Sequence, residues 1–145
     1  MKYEQMLINK VYKTSTYTVT KDEIYNFALK FDPQYMHIDD EKASKSIFGG
    51  IIASGLHTLS ISWKLWVDMN LIGEDIIGGV RMEHVEFLKP VYPEDILTVK
   101  ARIIDKQEHS DQKDRGYISI LLNTYNQDEK MVMNVKFLGL IKRDC

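Results

Sequence analysis

The chain has 145 residues, a length that suits one domain built on one core, residues 1–145. Hydrophobic residues make up 44% and charged residues 28%, ordinary globular values that exclude wholesale disorder and give no basis for a membrane protein. The formal charge is −2, from 19 basic and 21 acidic side chains without a Lys/Arg run, so no nucleic-acid partner is expected.

The opening segment Met1–Ile8 has no long apolar stretch, and no uncharged apolar run approaches the ~20 residues of a spanning helix. Neither export nor membrane insertion is expected. The one cysteine, Cys145, is the last residue, which argues against an internal disulfide or a Cys-based metal site and favours a reducing cytoplasm.

In chain order, Thr14–Thr20 is rich in Thr, Tyr and Val and predicts a strand. Lys21–Lys30 predicts a helix, with Ile24, Phe27, Ala28 and Phe31 at three- and four-residue spacing. It should stop near Asp32, because the residue before Pro33 is pushed out of the α region. Asp39, Asp40 and Glu41 place an N-cap and acidic first turn on a second short helix through Ala43. The next helix, about Ser54–Leu71, carries Leu56, Leu59, Trp63 and Trp66 as a stripe. Almost no charge occurs from Ile47 to Trp63, so its first half is expected to be buried nearly all round, with Lys64 and Asp68 marking a wet side.

Beyond Ile72 the hydrophobic period changes to two. Leu97, Val99, Ala101 and Ile103 alternate with polar residues, as do Ile118, Ile120 and Leu122, and then Met131, Met133, Val135 and Phe137. Turn signals lie at Tyr92–Asp95, Glu108–Gly116 and Asn126–Glu129. Strands joined by short polar turns argue for antiparallel pairing, so the expected class is α+β, a long antiparallel sheet packed on one central helix.

At this level of detail the sequence resembles the MaoC-type hotdog-fold family, from about Thr14 to Ile141. The resemblance is carried by an Asp followed five positions later by His and then x-Asp, here Asp32, His37 and Asp39. Further matches are Phe48-Gly49-Gly50-Ile51-Ile52-Ala53-Ser54-Gly55, leading into the central helix, and Phe87-Leu88-Lys89-Pro90-Val91 followed by Asp95. The resemblance implies a sheet wrapped around the central helix, and a homodimer or higher homo-oligomer joined edge to edge. It also implies substrates carried as CoA or acyl-carrier-protein thioesters, with no cofactor beyond that carrier. Many members are (R)-specific enoyl-CoA hydratases.

Hydration of an enoyl thioester needs a base for water, an acid for the α-carbon, and donors for charge growing on the thioester oxygen; Asp32 and His37 can supply the first two. On a continuous helix five residues would set them about 140° apart, so Pro33 matters: it breaks the helix and lets a tight turn bring both side chains to one water. Gly49, Gly50 and Gly55 precede or open the central helix, and the Gly55 N–H is the expected oxyanion donor; close helix-to-sheet packing is the competing explanation for these glycines. The resemblance implies Ser60 as a supporting hydrogen-bond donor, with a small residue facing the sheet as the alternative. His57, near Ser60 on the helix, is either a pocket residue or a structural histidine.

His84, in a strand, and His109, in a loop, have no ligand spacing to each other or to His37, and no metal site is expected. Trp63 and Trp66 are expected in the core, or as walls of an acyl tunnel; Arg81, Lys89 and Arg102 receive no assignment. The motif departs from the family's Asp-x-Asn-Pro-x-His: Gln34 stands at the Asn position, Pro33 directly follows Asp32, and Ser54-Gly55 replaces His-Gly at the head of the helix. The leading expectation is a hydratase/dehydratase, with a hotdog thioesterase or a weakly active acyl-CoA-binding relative as alternatives.

Overall fold

In the computed structural model, which describes residues 1–144, Thr20 accepts a hydrogen bond from the Glu23 N–H and starts helix α1, Lys21–Phe31. Cys145 lies outside the described residues. Asp32 is the C-cap of α1 with φ −154° and ψ 71°, outside the α region that a following proline disfavours. The tight turn expected after it is a one-turn helix, α2 (Tyr35–Ile38), which holds His37. Asp39 then accepts from the Lys42 N–H and caps α3, Asp40–Ser44.

Helix α4 spans Gly55–Asp68, shorter at its C-terminus than the predicted Ser54–Leu71, with Ser54 as N-cap and Asn70 in the left-handed region just past its end. The predicted stripe has the wrong phase. The buried face is His57, Thr58, Ile61, Ser62, Leu65 and Trp66, whereas Leu56 and Val67 are half-exposed and Leu59 and Trp63 partly buried. The first half is therefore not buried all round. Ser62 can lie inward because it is bonded: its Oγ donates to Thr58 O and lies 2.7 Å from Thr124 Oγ1.

Five strands form one antiparallel sheet in the order β1-β3-β4-β5-β2: β1 (Val11–Thr18), β2 (Ile76–Phe87), β3 (Ile96–Glu108), β4 (Arg115–Tyr125) and β5 (Met131–Lys142). The register places Ile103 opposite Ile120, Ile120 opposite Phe137 and Leu122 opposite Val135, so the alternating apolar residues stack on one buried face. Helix α4 packs on this face over β1 and β3, adding Ile61, Leu65 and Trp66 to the core. A long antiparallel sheet holding one central helix is the hotdog fold. Strand β2 forms an edge; its pairing with β5 is broken by three register shifts, and His84 within it has positive φ. No described helix is long and apolar enough to cross a membrane.

Candidate active site

The C-cap of α1 and the N-cap of α4 meet. Ser54 Oγ donates to Asp32 Oδ2 at 2.6 Å, and Gln34 Nε2 donates to Asp32 Oδ1 at 2.7 Å, so each carboxylate oxygen has its own donor. His37 Nε2 lies 3.4 Å from the same Oδ2. Its other ring nitrogen, Nδ1, lies 2.6 Å from Ile52 O. A carbonyl only accepts, so Nδ1 carries a hydrogen and Nε2 is the nitrogen turned toward Asp32, bare when the ring is neutral and a donor to Oδ2 when it is protonated. The imidazole is 6% exposed and the carboxylate 17%.

Burial pushes the Asp32 carboxyl up. The hydrogen bonds from Ser54 and Gln34 and the nearby His37 outweigh burial, and the group is held below the ordinary carboxylate value. It is therefore a carboxylate near neutral pH, an acceptor rather than a donor.

This pair lines a hollow of about 510 Å³ whose other walls include Phe48, Gly55, Leu56, Phe87 and Val132. At the head of α4, Leu56 N–H donates to Ser54 Oγ, and the His57 and Thr58 N–H groups donate to Ser54 O. None of these bonds uses the Gly55 N–H at the first position of the helix. A Cβ on Gly55 would lie 2.7 Å from the Phe87 ring, so glycine here also serves the close approach of that side chain. Both readings of Gly55 thus have a physical basis.

Asp32, His37, Gln34 and Gly55 are brought together; Ser60, His57 and Gly50 are not. Ser60 Oγ donates back to Leu56 O on the exposed side of α4 and, with His57, lines a different hollow between α1 and α4. There His57 is buried, stacks on Phe27 at 4.5 Å and donates through Nε2 to Glu23 Oε1 at 3.2 Å, leaving Nδ1 buried without a partner. Tyr17 donates to the same Glu23 oxygen, and this bond, with burial, pushes its hydroxyl up to about 12. Gly50 has open space around it and stands outside the dyad's hollow.

Trp63 packs on Phe137 and Trp66 on Tyr12, and both line a third hollow near the C-terminal end of α4, away from the dyad. Lys89 is the one unassigned cation that lines the dyad's hollow. His109 Nδ1 accepts from the Asp111 and Gln112 N–H groups, and no three His, Cys, Asp or Glu side chains gather as a ligand set among the described residues. Ser54 was missed as a site residue. Its sequence signal, a serine before an apolar helix, indicates a cap but says nothing about Asp32, 22 positions away.

The model of the MaoC-like domain matches residues 4–122. The chain is 49% identical over 143 residues to the uncharacterized protein YdeM of Bacillus subtilis, covering 99% of this chain and 100% of that one. Its structure superposes on the MaoC-like dehydratase of Rhodospirillum rubrum with a TM-score of 0.92 at 28% identity, covering 100% and 99% of the two chains. The R-hydratase PhaJ1 of Pseudomonas aeruginosa has the same fold, with a TM-score of 0.75 at 19% identity over 99% of this chain and 86% of that one.

Proposed function

This chain belongs to the MaoC-like domain family, and from that premise we propose that it adds water to a 2-enoyl thioester to give the (R)-3-hydroxyacyl thioester, and runs the reverse dehydration. The observation that carries this reading is the pairing of Asp32 Oδ2 with His37 Nε2 at 3.4 Å, facing the hollow lined by Gly55. The hand of the product is taken from the R-hydratase that shares the fold.

Two acceptors side by side are suited to one water that donates a hydrogen to each. Held this way, the water turns a lone pair toward C3 of the enoyl thioester. As the O–C3 bond forms, the π electrons of the C2–C3 bond move toward the thioester oxygen, which accepts from the Gly55 N–H. The dyad takes one proton from the water and delivers one to C2, so hydrogen and hydroxyl are added with no net change in the dyad. An acid/base pair of this kind contributes on the order of 10² to 10⁴ in rate, and one oxyanion donor about 10² to 10³.

No cofactor enters these steps, because the thioester itself accepts the electron pair; CoA or an acyl-carrier protein is the carrier. The working form in this reading is a cytoplasmic homodimer or higher homo-oligomer. A hydrolase reading would call for a carboxylate on α4 beside the thioester carbonyl. The late carboxylate of that helix, Asp68, is half-exposed and paired with Lys64 at 2.6 Å, outside the hollow.

Following the loss of enoyl absorbance of crotonyl-CoA, with free thiol measured in parallel, tests the reading. Hydration without thiol release is expected. Asp32→Ala and His37→Ala should each lower turnover by at least about 10²-fold while retaining a cooperative thermal unfolding transition. Thiol release without hydration would assign the chain to the hydrolases, and near-normal turnover by either variant would remove the dyad from the chemistry.

A further inference from the structure

The residues that depart from the family motif converge on one carboxylate. Gln34 stands where the motif has Asn, and Ser54 stands where the head of the helix has His. Their side chains donate to the two different oxygens of Asp32, at 2.7 and 2.6 Å. We propose that Ser54 and Gln34 form one clamp on Asp32, positioning residues that fix the carboxylate so that the free face of Oδ2 meets His37 and the reacting water. This inference rests on the hydratase reading above for its kinetic consequence, though not for its geometry.

The displaced proline belongs to the same device. Pro33 fixes its own φ and keeps Asp32 out of the α region, and the Gln34 N–H donates to Asp32 O at 2.8 Å. That turn folds the Gln34 side chain back over the carboxylate two residues earlier. Gln has one methylene more than Asn, and with proline directly after Asp32 the longer side chain returns to Oδ1. Ser54 works from the other side. It is 1% exposed, its hydroxyl hydrogen goes to Asp32, and its oxygen accepts the Leu56 N–H at the head of α4. One hydroxyl thereby ties the base to the helix end that carries the Gly55 N–H, setting the distance between the two working parts.

A carboxylate offers about four lone-pair positions. With one on each oxygen occupied, rotation that would trade Oδ1 for Oδ2 breaks two charge-assisted bonds at once. The groups facing Asp32 are Ser54, Gln34 and His37, from α4, the α1–α2 turn and α2 respectively.

The test compares Ser54→Ala, Gln34→Leu, the double variant and Ser54→Thr by the pH dependence of kcat/KM with crotonyl-CoA, alongside a ¹³C titration of the Asp32 carboxyl. Ser54→Ala and Gln34→Leu should each lower kcat/KM roughly 10- to 150-fold, the loss of one hydrogen bond to a charged group. Each should also move the acid limb and the carboxyl titration to higher pH, the double variant furthest. Ser54→Thr, which keeps the hydroxyl, should titrate like the wild type. Because Ser54 also caps α4, Gln34→Leu at an exposed position guards against a loss of fold. Acid limbs and carboxyl titrations that coincide with the wild type in well-folded Ser54→Ala and Gln34→Leu would overturn the clamp. A wild type that hydrates no enoyl thioester would overturn the proposed function, and the carboxyl titration alone would then decide the clamp.

Discussion

Asp32 is a partly buried acid kept ionised by the Ser54 and Gln34 donors, and this has a consequence for stability as well as chemistry. A carboxyl held below its unfolded value contributes stability above the unfolded value of about 3.9, and loses that contribution as pH falls through the folded value. Asn at this position cannot titrate. The difference in Tm between the wild type and Asp32→Asn is therefore expected to shift against the wild type as pH falls from about 5 toward 3. A constant difference across that range in thermal scans would mean that Ser54 and Gln34 do not favour the charged form. The Asp32–His37 pair was legible through the family resemblance, with Pro33 stopping the helix between the two residues. Their partners were not: Ser54 is 22 residues from Asp32 and Ile52 is 15 from His37, and neither contact leaves a periodic trace.

Helix α4 shows how polar residues confuse a stripe drawn from apolar ones. Leu56, Leu59, Trp63 and Trp66 share one helical face by their spacing, yet the helix turns His57, Thr58 and Ser62 inward. For Ser62 what permits this is Thr124 on β4, 62 residues away. Ser62→Ala should leave the Thr124 hydroxyl without its partner in the core and cost about 2 kcal/mol, lowering Tm by roughly 4 to 8 °C. Pairing it with Thr124→Val should recover part of the loss, because replacing both members removes the unmet group; calorimetry on the two variants checks both outcomes. His57 and Glu23 also join α4 to α1, and Ser54 joins α4 to Asp32. The entry of the central helix is thus held to α1 by two polar contacts, and the site depends on their spacing.

At the scale of the whole molecule, strand β2 is the feature the monomer leaves unmet. It is an edge strand on which Ile77, Val80, Met82 and Phe87 are all exposed, Phe87 by 56%, and Phe87 also lines the dyad's hollow. An exposed apolar edge is a template for pairing with another chain, in keeping with the oligomer proposed above. Light scattering after size exclusion should give twice the chain mass or a higher even multiple, and Val80→Glu with Met82→Glu should shift it toward the monomer. A wild type that runs as a monomer would remove β2 as the joining edge. The sequence by itself determined helices α1, α3 and α4, strands β1, β3, β4 and β5 and the change of period after Ile72, because capping, proline and alternation act over a few residues; the family resemblance carried the Asp/His pair. Only the tertiary structure decided the phase of α4, the second hollow that takes Ser60 and His57 away from the dyad, and the convergence of Ser54 and Gln34 on Asp32. Those depend on which distant hydrogen-bond partner is within about 3 Å, and that distance exists only once the sheet has closed over the helix.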